Sequence, residues 1–113
     1  MKILFDQGVP VPLRKFLIRH SVVTAYEKGW SALQNGALLA AAQTEFELLV
    51  TTDKNIRHQQ NLGGRRLAIA VLSSPQWPVI AANVESVVVQ IDAVKPLFQH
   101  KTTHTVPQQI LQA

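Results

Sequence analysis

The chain predicts an α/β fold built on a mostly parallel central sheet of four to five strands. Three observations carry this. Four short apolar runs alternate with turn-and-helix segments, the order of successive βαβ units. The first run lacks the polar alternation of a half-buried strand, so it reads as a central strand apolar on both faces. Two runs, Lys2-Ile3-Leu4-Phe5 and Leu48-Leu49-Val50-Thr51-Thr52, break directly into a lone aspartate, Asp6 and Asp53.

Residues 2–5 form the first predicted strand. Gly8, Pro10 and Pro12 then mark a turn and a helix start. Leu13, Phe16 and Leu17 have the i, i+3, i+4 spacing of an amphipathic helix over residues 11–19. Ser21-Val22-Val23-Thr24-Ala25-Tyr26 is β-branched and reads as strand two. A loop over 27–34 leads to Asn35, which suits an N-cap for a helix at 37–45. Leu38, Leu39, Ala42 and Phe46 mark the buried side of that helix. Strand three is 48–52.

A short helix near 55–62 should stop at Gly63-Gly64. Leu67-Ala68-Ile69-Ala70-Val71-Leu72 is strand four, and 73–78 is a turn. Ile80, Val84, Val87, Ile91 and Val94 recur at spacings of four, three, four and three, which predicts one long helix limited by Pro96. A last short strand is expected near 103–106, in a C-terminal extension covering 99–113, with residues 1–98 as one domain.

At 113 residues and 47% apolar content the chain can bury a real core. Charged residues make up 16%, a level that leaves room for a partner to cover part of the surface. Cysteine is absent, which excludes a disulfide scaffold and a thiolate zinc site. The opening apolar stretch is too short for a signal peptide. No segment approaches the roughly 20 apolar residues that span a bilayer, so no membrane role and a cytoplasmic location are expected. The net charge of +4 is a mild bias toward polyanions such as nucleic acid.

The chemistry centres on Asp6 and Asp53. In a parallel sheet the carboxyl ends of the strands share one edge, where ligands bind. Only seven acidic residues occur in the chain, so two at strand ends stand out. Each can cap the following turn. Each can also serve a hard cation such as Mg²⁺, which takes one or two carboxylates plus substrate phosphates. Lys54, Arg57 and His58 follow Asp53 and can meet phosphate. Glu27 follows strand two, which makes it a third acid of the same edge or the partner of a surface cation. Asn35 can line the cleft as well as cap. Glu45 and Glu47 look solvated, and Trp30 and Trp77 look like loop packing. A phosphate-cradling glycine loop, a nucleophile elbow and a paired-His helix are all missing.

These residues carry a resemblance. Ile3-Leu4-Phe5-Asp6-Gln7-Gly8-Val9-Pro10 resembles the opening of short PIN-like domains, a strand ending in Asp-Glu-Asn-hydrophobic-Pro. His20-Ser21-Val22-Val23-Thr24 is similar to their second strand. Asn35-Gly36-Ala37-Leu38-Leu39 resembles a helix that usually opens with Asp, and Leu49-Val50-Thr51-Thr52-Asp53-Lys54-Asn55 resembles the strand-three motif. The resemblance implies a three-layer PIN-like fold related to toxins of the VapC type. It further implies Mg²⁺ or Mn²⁺ held by Asp6 and Asp53, and metal-activated water attacking an RNA phosphodiester.

Glu27 and Asn35 would complete the catalytic set. Lys54, Arg57, Gln7 and Asn55 would contact substrate. A small antitoxin protein is the implied partner besides RNA, and a homodimer is compatible. Asn35 stands where an acid is usual, and Gln7-Gly8 replaces Glu-Asn. Loss of a carboxylate weakens Mg²⁺ binding, so the alternative is a catalytically eroded module that binds RNA or protein. A phospho-accepting signalling domain is a third reading, disfavoured because strand one ends in one Asp rather than an acidic pair.

Overall fold

The computed structural model describes residues 1–56 and 67–94, and the backbone of 109–111; Asn35 is described by its backbone alone. Five parallel strands run in the order β2-β1-β3-β4-β5: β1 (Lys2–Phe5), β2 (Ser21–Thr24), β3 (Leu48–Thr51), β4 (Ala68–Leu72) and β5 (Gln109–Leu111). This confirms the α/β class with an all-parallel sheet. In this doubly wound order the chain reverses direction across the sheet between β1 and β3, the topological switch point where such folds hold their ligands.

The central strands are buried on both faces, as their unbroken apolar character requires. Because side chains alternate along a strand, each strand feeds two separate cores. Ile3, Phe5, Leu48, Val50, Ala68, Ala70 and Leu72 face one cluster with Leu13, Leu17, Ile80, Val87 and Ile91. Leu4, Leu49, Ile69 and Val71 face the other, with Leu38, Leu39, Ala42 and Phe46 of the segment after β2. Helical segments therefore cover both faces.

Several expected elements take a different form. Residues 11–16 are a 3-10 helix (Val11–Phe16), not an α-helix to 19. Its i→i+3 bonds run from Leu13 N–H to the Pro10 carbonyl and from Leu17 N–H to the Arg14 carbonyl. Leu13 and Leu17 are buried, but Phe16 is 43% exposed and rests against Trp77 at 6.0 Å between ring centroids. Helix α1 is Asn35–Ala42, and the extended residue Gln34 is its cap, so Asn35 is the first helical residue rather than the N-cap.

The single helix expected from 78 to Val94 is two, α2 (Trp77–Ala82) and α3 (Val84–Asp92). Asn83 breaks it: its backbone leaves the helical region at φ −124°, and its Nδ2 donates to the Val79 carbonyl at 3.0 Å. Trp77 is accordingly a first-turn residue of α2 and not part of a turn. The edge strand β5 lies at 109–111, not near 103–106. The expected helix near 55–62 and its glycine stop lie, apart from 55 and 56, outside the described residues.

Among the described residues no helix is long and apolar enough to cross a membrane.

Candidate functional site at the carboxyl edge of the sheet

The sheet register decides what meets at the switch point. Ile3, Leu4 and Phe5 pair with Leu48, Leu49 and Val50. The pairing runs one bond further, with Asp6 N–H donating to the Val50 carbonyl at 2.9 Å. Asp6 is thereby brought beside Thr51, the last residue of β3. The Thr51 hydroxyl donates to Asp6 Oδ2 at 2.7 Å and accepts the Asp53 N–H at 3.1 Å. Thr51 is fully buried, so both bonds are sheltered from competing water. Thr51 thus links the Asp6 carboxylate to the main chain of Asp53.

Each carboxylate also orders its own turn. Asp6 Oδ1 accepts the Gln7 N–H at 2.7 Å, and Asp53 Oδ1 accepts the Asn55 N–H at 2.9 Å, an Asx turn. The capping role and the ligand role therefore use different oxygens at Asp6 only in part: both of its oxygens accept one hydrogen bond. Neither donor is a cation, and among the described residues Asp6 has no ion-pair partner. It is half-buried.

The loops carrying the aspartates touch at Gly8. A Cβ on Gly8 would lie 2.6 Å from Thr52 Oγ1, so only glycine permits this approach of the β1 and β3 loops.

Glu27 occupies the same edge but is committed elsewhere. Its Oε1 accepts the Arg14 Nη1–H and the Thr24 N–H, both at 2.9 Å, while the Thr24 hydroxyl accepts the Glu27 N–H at 3.0 Å. The exchange between Thr24 and Glu27 is that of a capping box. The Arg14 guanidinium, then the Thr24 amide, hold the Glu27 carboxyl below its ordinary value. Arg14 also donates to the Val22 carbonyl at 3.3 Å. It ties the 3-10 helix to the β2 end.

A cleft of about 300 Å³ opens between the carboxyl ends of β1 and β2. Asp6, Gln7, Val9, Val11, Arg14, Thr24, Tyr26 and Glu27 line it. Asp6 and Glu27 thus share one cavity, and Asp53 lies outside its lining, on the β3 side. Lys54 and Asn55 are exposed beside Asp53. Arg57 and His58 lie outside the described residues, as does the side chain of Asn35. Among the described residues no group of three or more His, Asp or Glu forms a metal cluster, so any cation here would depend on two carboxylates.

Other expectations resolve on the opposite edge or the flank. Glu45 pairs with Lys28 at 2.8 Å, and Glu47 Oε1 accepts the Lys2 N–H at 2.8 Å, so neither acid is merely solvated. Trp30 packs edge-on against Phe46 with Lys28 Nζ 5.0 Å above its ring.

Thr51, Arg14 and Tyr26 were not singled out from sequence. The pattern Thr24-x-x-Glu27 is a legible capping box, and Thr51 stands two residues before a strand-end Asp. The contacts of Arg14 and Tyr26 have no local signature. No protein-family model, curated protein or solved structure matches the chain.

Proposed function

We propose that the chain is a PIN-like, metal-dependent endoribonuclease, acting in the cytoplasm as the toxin-like component of a toxin–antitoxin pair. The observation that carries this reading is the Asp6–Thr51–Asp53 unit at the switch point of a parallel sheet. Its donor chemistry fits Mg²⁺ or Mn²⁺, hard ions satisfied by one or two carboxylates when waters and substrate phosphates supply the remainder. Asp6 and Asp53 would hold the ion. When bound, it supplies Lewis-acid activation of water and charge neutralisation at an RNA phosphodiester.

The chain's own residues orient and steer. Thr51 and the Gln7 amide fix the orientation of the Asp6 carboxylate. Lys54 beside Asp53, with Arg57 further along, would draw in the RNA backbone. Gln7 and Asn55 would contact the strand next to each aspartate. Glu27, held by Arg14, and Asn35 act as supports.

RNA cleavage with Mg²⁺ or Mn²⁺, compared between wild type, Asp6→Asn and Asp53→Asn, tests the assignment. Each variant should lose at least about 100-fold, because even partners one shell further from a metal are worth 10–100-fold. Unchanged activity in both variants would sink it.

A second reading, an eroded module that binds RNA or protein without cleaving, draws on a specific observation: Glu27 is already engaged by Arg14 and Thr24. With Asn35 an amide, the site keeps two acids. Calorimetric titration with Mn²⁺ separates the readings: a defined site lost in Asp6→Asn excludes erosion of metal binding.

A further inference from the structure

The cleft between the carboxyl ends of β1 and β2 is a second feature of this edge, and its lining points to a ligand. Val9 and Val11 supply apolar wall, and Tyr26 stands at its rim with 80% of its surface exposed. The Tyr26 ring has no aromatic neighbour among the described residues, unlike Trp30 on Phe46 and Phe16 on Trp77. An exposed, unstacked ring above an apolar wall is a platform for a flat partner.

Charge decides which flat partner. Asp6 and Glu27 contribute two negative charges to the cleft and Arg14 one positive, a net of one negative. A phosphate is repelled by that balance; a neutral base is not. Arg14 and Glu27 are locked together at 2.9 Å, which leaves a fixed donor and acceptor pair on the wall. Glu27 Oε1 is used twice, whereas Oε2 has no hydrogen bond among the described residues, so an acceptor remains for an N–H on a base edge. The volume of about 300 Å³ lies at the small end of ligand pockets, suited to one ring system.

We propose that this cleft holds one base of a single-stranded RNA, stacked on Tyr26, with its sugar-phosphate outside the cleft. The proposal rests on the ribonuclease reading and deepens it, because a base held here sets the register of the strand along this edge. Tyr26 is then a substrate-binding residue. Arg14 and Glu27 are positioning residues that shape the pocket's polar wall.

The experiment measures binding of a labelled single-stranded RNA oligonucleotide to the full chain by anisotropy in EDTA, where cleavage cannot intervene. Wild type, Tyr26→Ala and Tyr26→Phe are compared, each with the intact oligonucleotide and with one whose bases are replaced by abasic sites. Tyr26→Ala should bind the intact RNA about ten-fold more weakly, within the range that base–aromatic stacking spans, and Tyr26→Phe should bind as wild type. The abasic RNA should bind wild type and Tyr26→Ala alike. Equal binding of intact RNA by wild type and Tyr26→Ala overturns the proposal, as does no RNA binding at all. So does a Tyr26→Ala loss that persists with abasic RNA.

Metal-dependent cleavage is read separately, so the two ideas fail separately. A base-dependent Tyr26 effect without cleavage removes the nuclease and keeps the pocket. Cleavage without that effect removes the pocket and keeps the nuclease.

Discussion

The two edges of the sheet treat their acids differently. At the amino edge, Asp92 Oδ1 lies 2.7 Å from Nε2 of His20, whose ring is nearly buried, and Glu47 takes the Lys2 amide. These contacts clamp α3 and the start of β3 onto the sheet. At the carboxyl edge, Asp6 meets only a hydroxyl and an amide, and no cation among the described residues offsets its charge. A neutral donor orients a carboxylate without cancelling it. The first edge uses its acids to tie distant segments together, and at the second Asp6 orders its own turn and the adjacent end of β3. Glu27 shows that an acid at the carboxyl edge can also be closed off, since Arg14 claims it.

Replacing Thr51 by valine is the hardest blow to this contrast, because it keeps shape and removes the hydroxyl between the Asp6 carboxylate and the Asp53 main chain. Cleavage should fall about 10–100-fold, the usual cost of losing an orienting partner of a metal ligand. Stability should fall by about 1–3 kcal/mol, because the Asp53 N–H loses its acceptor. Urea denaturation and RNA turnover read the two effects. A variant with full activity would show that the link between the aspartates is incidental.

Gly8→Ala strikes the same edge from outside the charged network. The new methyl meets Thr52 Oγ1, so the loops must part, at about 1–3 kcal/mol of overpacking. The melting temperature should drop and cleavage should weaken with it. An alanine variant as stable as wild type would mean the Thr52 side chain rotates away at no cost.

Asp92→Asn should produce the opposite profile. It weakens a largely buried contact with His20, with a loss of about 1 kcal/mol seen in urea denaturation. RNA cleavage should not change, because this contact lies at the far edge. A loss of activity at unchanged stability would break the division between the edges.

The smallest effect concerns Glu27. Its folded carboxyl is held below the ordinary value of 4.5 by Arg14 first and the Thr24 amide second. A depressed folded value means the unfolded state binds the proton first as pH falls. Glu27 therefore contributes stability above pH 4.5, and that contribution is lost as pH drops through the lowered folded value. In Arg14→Met the melting temperature should depend less steeply on pH in this acidic window. An unaltered slope would show that Arg14 does not hold the Glu27 charge.

Much of this edge is legible along the chain. Apolar runs ending at Asp6 and Asp53 announce the strands and their polar ends, because strand burial and the break into a carboxylate are local features. The role of Thr51 is not local. It depends on β1 and β3 pairing so that Asp6 falls beside the end of β3. The same holds for Glu27, whose neighbour Arg14 is 13 residues away and arrives through the 3-10 helix. The division of the last helical region was hidden for another reason. Its apolar spacing continues through Asn83, but one side-chain amide captures a helix carbonyl and ends α2.

Hydrophobic pattern alone determined the α/β class, the parallel strands and the two aspartates at their ends, since each follows from neighbours in sequence. Tertiary structure alone decided that Arg14 claims Glu27 while Asp6 has no ion-pair partner among the described residues. It also left Tyr26 bare at the rim of a cleft. Those outcomes turn on distances between segments far apart in the chain, and the field at a carboxylate is set by what lies within a few ångströms of it.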